Sequence, residues 1–109
     1  MPYSVDDYPK PSQLKWAMLV VLLNHDKPMV TSQIDIGVAK LLNIPNEMYV
    51  AILENGKQYL PYRLGWERTK TKKLGYIEKV PNMPRFWKLT DKGRRAAMRK
   101  KHLFKTYSS

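Results

Sequence analysis

The spacing of apolar positions changes along this chain, and each change marks an element. From Leu14 to Leu23 nearly every residue is apolar, with Trp16, Ala17, Met18, Leu19, Val20, Val21 and Leu22 between them. Pro9, Pro11 and Ser12 precede this run, and Ser12 suits an N-cap, so the pattern predicts a first helix over residues 13–24. A helix that is apolar on more than one face must be covered on several sides. It is either the centre of the fold or partly a dimer surface. Lys27-Pro28-Met29-Val30 predicts a short strand or extended link, after which Thr31 or Ser32 caps a second helix to about Leu42. Ile34, Val38, Leu41 and Leu42 supply its buried face. Pro45-Asn46-Glu47 restarts the chain, and Met48, Val50, Ala51, Ile52 and Leu53 predict a third short helix ending near Asn55-Gly56.

Beyond Pro61 the character changes. Residues 62–74 mix apolar positions with Arg63, Arg68, Lys70, Lys72 and Lys73, and Gly75 follows at a position where a helix can end in the left-handed region. Tyr76-Ile77-Glu78-Lys79-Val80 and Arg85-Phe86-Trp87-Lys88-Leu89 alternate in the strand sense around the turn residues Pro81-Asn82-Met83-Pro84. Thr90 then caps a closing helix from Asp91 to about Phe104. The expected fold is mainly α with a small β-hairpin, in the order of a winged helix-turn-helix. It is a single domain over residues 1–109, with an N-terminal arm over 1–11, a recognition helix over 62–74, a wing over 76–89 and a C-terminal helix over 90–104. The last residues, Lys105 to Ser109, are expected to fray.

Charge sharpens this picture. Residues 1–54 hold four Lys against six Asp or Glu, a balance of −2, whereas residues 55–109 hold sixteen Lys or Arg against three acids, a balance of +13. The net +11 is thus entirely C-terminal and calls for a polyanionic partner, nucleic acid or an acidic membrane surface. The chain has no cysteine, which excludes disulfides and thiolate chemistry, and its two histidines, His25 and His102, are not grouped with carboxylates. No metal and no cofactor is expected. The longest apolar run is far short of the roughly 20 residues that span a bilayer, and the chain opens with acidic residues, so a cytoplasmic protein without a membrane partner is expected.

The quoted segments also carry a resemblance. Gly56-Lys57, Arg63-Leu64-Gly65-Trp66-Glu67-Arg68-Thr69, Lys72-Lys73-Leu74-Gly75-Tyr76-Ile77-Glu78 and Trp87-Lys88-Leu89-Thr90-Asp91-Lys92-Gly93 resemble the N-terminal domain of Mrr-type restriction proteins. That pattern resembles N-R-V-G-W-A-R-T, then K-K-A-G-L, then a W-x-I-T-x-x-G end, and the match covers roughly residues 53–95. The resemblance implies a winged helix that binds DNA, usually ahead of a separate nuclease domain. Tyr62 stands where the family has Asn, and Glu67 where it has Ala. Restriction nuclease cores use an Asp followed by Glu-x-Lys to hold a divalent metal. Here Glu54 is followed by Lys57, one position too far, and Glu78 adjoins Lys79, so no catalysis is expected of this chain.

At 100° per residue, Leu64, Glu67, Thr71 and Leu74 fall on one side of the basic helix. Glu67 then sits in the core-facing arc, either paired with a nearby Arg or Lys or displaced by a rotation of the helix. The far side carries Gly65, Trp66, Thr69, Lys72 and Lys73, with Arg63, Arg68 and Lys70 on the flanks. These residues are the candidates for a major groove, where Arg reads guanine and Thr meets a base edge or a thymine methyl. Trp66 is equally open to a place in the core. Lys79, Arg85 and Lys88 on the wing suit phosphates. The expected partners are double-stranded DNA, a separate nuclease subunit, and a second copy through the apolar first helix. The competing function is a protein-interaction or dimerisation module on the same scaffold.

Overall fold

A computed structural model describes residues 3–53 and 56–104. A 3-10 turn, Val5–Asp7, leads into α1 (Pro11–His25), β1 (Met29–Val30), α2 (Thr31–Leu41), the single turn α3 (Asn46–Tyr49) and α4 (Tyr59–Lys73). After these come β2 (Ile77–Val80), β3 (Met83–Leu89), α5 (Asp91–Lys100) and a final 3-10 turn, Lys101–Phe104. The three strands form an antiparallel sheet in the order β1-β3-β2. This is the expected winged-helix arrangement, mainly helical with a small hairpin. Among the described residues no helix is long and apolar enough to cross a membrane.

α1 is the centre of the molecule. Leu14, Ala17, Met18, Leu19, Val20, Val21 and Leu22 are all buried, and α2, α4, α5 and β3 pack around them. The all-round apolar pattern is therefore satisfied within one chain, which leaves α1 no exposed apolar face for a second copy. Its start differs from the expectation. Lys10 is the N-cap and Pro11 opens the helix, where its missing N–H costs nothing. Ser12 lies inside the first turn. Val30, not Thr31 or Ser32, precedes α2, and its N–H donates to Gln33 Oε1 at 3.2 Å.

The third helix is shorter than the pattern predicted. It stops at Tyr49, and Ile52 instead forms an isolated bridge with Gln58, so Val50, Ala51 and Leu53 belong to a loop. The expected end near Asn55, Glu54 of the rejected metal pattern, Met1 and Pro2 of the arm, and the C-terminal residues 105–109 lie outside the described residues. α4 begins three residues earlier than expected, with Pro61 inside its first turn, where backbone N–H groups have no intrahelical acceptor. Gly75 follows α4 at φ +84, as the sequence required.

The joint after α4 explains the Trp-to-Gly end of the hairpin. Trp87 is buried and its Nε1–H donates to Thr31 Oγ1 at 3.2 Å, fastening β3 to the start of α2. Thr90 caps α5 by accepting from the Gly93 N–H at 3.0 Å. A Cβ on Gly93 would lie 1.9 Å from the Tyr76 carbonyl oxygen, so only glycine lets α5 seat on the α4–β2 turn.

Candidate nucleic-acid interface

Three elements form the candidate surface: α4, the β2–β3 wing and the start of α2. The core stripe of α4 is Leu60, Leu64, Glu67 and Thr71. The helical projection gave Leu64, Glu67 and Thr71, but Leu74, expected on the same side, is the C-cap where the helix ends and is exposed. Glu67 is 3% exposed and is not stranded, because Arg63 Nη2 and Lys70 Nζ each approach its Oε2 at 3.4 Å. A buried carboxylate with two cations at its rim is tolerated where the cations themselves reach water. Of the two readings of Glu67, pairing holds and no rotation of the helix is needed. The same geometry commits Arg63 and Lys70 to holding Glu67 on one flank.

The other flank is tied to α2. Arg68 Nη1 donates to Asp35 Oδ1 at 2.7 Å in a largely buried pair. Burial pushes the Asp35 carboxyl above its ordinary range, and the Arg68 guanidinium only partly offsets this. Arg68, expected on the edge of the groove-facing side, thus points onto a neighbouring helix. No sequence signal could have paired residues 33 positions apart. Asp35 also lines a cleft of about 490 Å³ with Thr31, Ser32 and Tyr49, and the facing wall is Lys79, Pro84 and Arg85. Asp35 touches both α4 and this cleft, so the wing lies beside the Arg68 flank of α4.

The outward side of α4 is what the projection gave. Trp66 is 50% exposed, so it is a surface residue and not part of the core, and Tyr62 is 40% exposed beside it. Their rings meet edge to face, with centroids 6.2 Å apart. Tyr62 was missed as a surface aromatic, although its i,i+4 spacing to Trp66 was visible. Thr69, Lys72 and Lys73 are exposed along the same side, and the Thr69 hydroxyl donates to the Gly65 carbonyl at 3.2 Å. A Cβ on Gly65 would meet only the Arg68 guanidinium, at an ordinary 3.7 Å, so packing does not require glycine there.

The wing cations differ in what they already hold. Lys79 Nζ donates to the Pro84 carbonyl at 2.6 Å and lies 4.4 Å from the Trp87 ring centre, which braces the hairpin. Lys88 Nζ stands 3.8 Å from Glu78 across the strands. Arg85 is exposed and, among the described residues, has no intramolecular partner, as is also true of Lys72 and Lys73. His25 and His102 are both exposed. Among the described residues no three of His, Asp or Glu gather where they could hold a metal ion.

A family described as the Mrr N-terminal domain matches residues 12–99. The chain belongs to the Mrr N-terminal domain family. The match reaches back to the start of α1, well beyond the basic segment and hairpin that carried the resemblance. That family is an N-terminal domain of restriction proteins and not their nuclease domain. No match was found among curated proteins or among solved structures. In this Mrr N-terminal domain the Gly65-Trp66 pair opens the exposed side of α4, and the Thr90-to-Gly93 end is the cap and seat of α5.

Proposed function

We propose that this chain is a double-stranded DNA-binding module of a restriction-like system or a regulator, acting in the cytoplasm with no catalysis of its own. The observation that carries the reading is the division of cations on α4 and the wing. Arg63, Arg68 and Lys70 hold Glu67 and Asp35, whereas Lys72, Lys73 and Arg85 are exposed and uncommitted beside the Tyr62–Trp66 pair. Gly65 supports it independently. A mid-helix glycine costs about 0.5–1 kcal/mol relative to alanine, nothing in the packing asks for it, and its bare backbone suits close approach to a duplex. In this arrangement α4 enters the major groove, with Gly65, Trp66, Thr69 and Lys73 nearest the bases. Lys72 and the wing residues Lys79, Arg85 and Lys88 meet phosphates. These residues contain no Asp followed by Glu-x-Lys, so cleavage, where it occurs, falls to a nuclease unit outside them, such as a separate subunit.

Gel retardation of a labelled duplex across a salt series tests this reading. Binding is expected at low salt, and its logarithm should fall linearly with the logarithm of salt, by about 0.9 for each phosphate neutralised. Lys72→Ala with Lys73→Ala should weaken duplex binding and leave the circular dichroism spectrum unchanged. No retardation at low salt would overturn the proposal.

A second reading, a protein-interaction module, has one observation in its favour. Ile36, Ala39, Ile44, Tyr49 and Val50 line an open groove of about 620 Å³, and Ile36 is 51% exposed. Light scattering across a concentration series would show self-association if a second copy used this groove.

A further inference from the structure

The closing helix carries a charge pattern that the α4–wing surface does not absorb. Gly93, Ala96 and Ala97 form the buried side of α5, and these small residues bring its backbone close to α1. At 100° per residue, Lys92, Arg95 and Arg99 then fall along one flank. The structure shows which way that flank faces. Lys92 Nζ donates to the Leu74 carbonyl at 2.7 Å and lies 4.7 Å from the Tyr76 ring centre, so it sits against the C-terminal end of α4. Gly93 on the Tyr76 carbonyl and Thr90, which donates to the Gly75 carbonyl, fix the approach of the two helices. Lys72 and Lys73 stand exposed in the last turn of α4, and Arg95 and Arg99 lie exposed on the flank of α5 that Lys92 anchors to the α4 end.

Neither arginine is committed elsewhere. Among the described residues, Arg95 and Arg99 are exposed without an ion pair, hydrogen bond or ring partner, although Asp91 lies one turn before Arg95. Their neighbour Arg94, on the opposite flank, turns to Asp26 at 3.7 Å. Arg95 and Arg99 are about 6 Å apart along the helix axis. The charges of one DNA strand advance about 3.4 Å per step along the duplex axis, so the pair spans about two steps and can meet two phosphates of a single strand.

We infer that the duplex contact runs past the end of α4 onto α5, where Arg95 and Arg99 grip the sugar-phosphate backbone flanking the groove that α4 occupies. This rests on the DNA-binding reading above and extends it to a second backbone contact, one that positions the protein and carries no sequence preference.

Fluorescence anisotropy with the full chain and a mixed-sequence duplex, repeated over a potassium chloride series, separates the two claims. Arg95→Ala with Arg99→Ala should make the salt slope shallower by about 2, at roughly 0.9 per contact. Arg95→Lys with Arg99→Lys should keep the wild-type slope. Both variants alter exposed side chains, and matching thermal melts would confirm that the fold is kept. A wild type that binds, with the alanine variant matching its affinity and slope, overturns the α5 contact and leaves the DNA-binding reading standing. A wild type that binds no duplex overturns both. Saturation at two duplexes per protein would overturn the single-duplex arrangement.

Discussion

α1 and α4 are both fifteen residues long, and they use their length in opposite ways. α1 buries nearly all of its apolar side chains against its own chain, and its exposed residues lie at its two ends. α4 buries one stripe, and even that stripe contains Glu67 and Thr71, while its outer side shows two aromatic rings and uncommitted lysines. The difference is one of cost. A helix wrapped by its own chain gains hydrophobic free energy along its whole surface, whereas α4 leaves apolar rings in water and a glycine in its middle. In a domain of this size, which buries a limited share of its surface, such a face is a concession to something outside the fold.

Four substitutions sharpen or break that contrast. The largest effect should come from Leu19→Ala in α1. Its side chain is fully buried, and truncation should cost about 2–5 kcal/mol by thermal or urea unfolding. A smaller loss would mean that α1 is not the centre. Trp66→Ala in α4 should change stability far less, since the residue is already half exposed, yet weaken duplex binding if the ring meets base edges or sugars in the groove. A large loss of stability with unchanged binding would reverse the roles of the two helices. Gly65→Ala is expected to raise stability by about 0.5–1 kcal/mol and to weaken DNA binding, a combination that packing alone does not produce.

The smallest effect concerns Asp35 and pH. Its folded-state pKa is raised above the ordinary 3.8. The folded protein therefore holds this proton more tightly, and the associated stability is present below that value and lost as pH rises through the folded pKa. Asp35→Asn has nothing to titrate in that window. In urea unfolding at a series of pH values, wild-type stability relative to the variant should fall as pH climbs above about 3.8. A relative rise would mean that the Arg68 pair outweighs burial.

Much of this was legible in the sequence because it depends on near neighbours. The helical projection of α4 placed Glu67 inward and Trp66, Thr69 and Lys73 outward, and Gly75 and Thr90 marked the end of α4 and the start of α5. Alternation marked the hairpin, but Met83 and Pro84, read as turn, form the start of β3. What could not be read depends on partners distant in the chain. Asp35 claims Arg68 through tertiary packing, so a candidate groove cation became a tie between helices. The third helix failed for a related reason: apolar spacing at Val50, Ala51 and Leu53 fits a helix, but the Ile52–Gln58 bridge takes the chain elsewhere. The ambiguity of α1, centre or dimer face, was resolved only by seeing what covers it.

The central claim is that α4 and the wing, and not the groove beside α3, meet DNA. The most direct measurement is an amide and indole NMR titration of the ¹⁵N-labelled chain with a short duplex. The largest shifts are expected at Tyr62, Gly65, Thr69, Lys73 and Arg85 and at the Trp66 indole N–H, with the buried amides of α1 little changed. Shifts gathered instead at Ile36, Ile44 and Val50, with α4 silent, would contradict it.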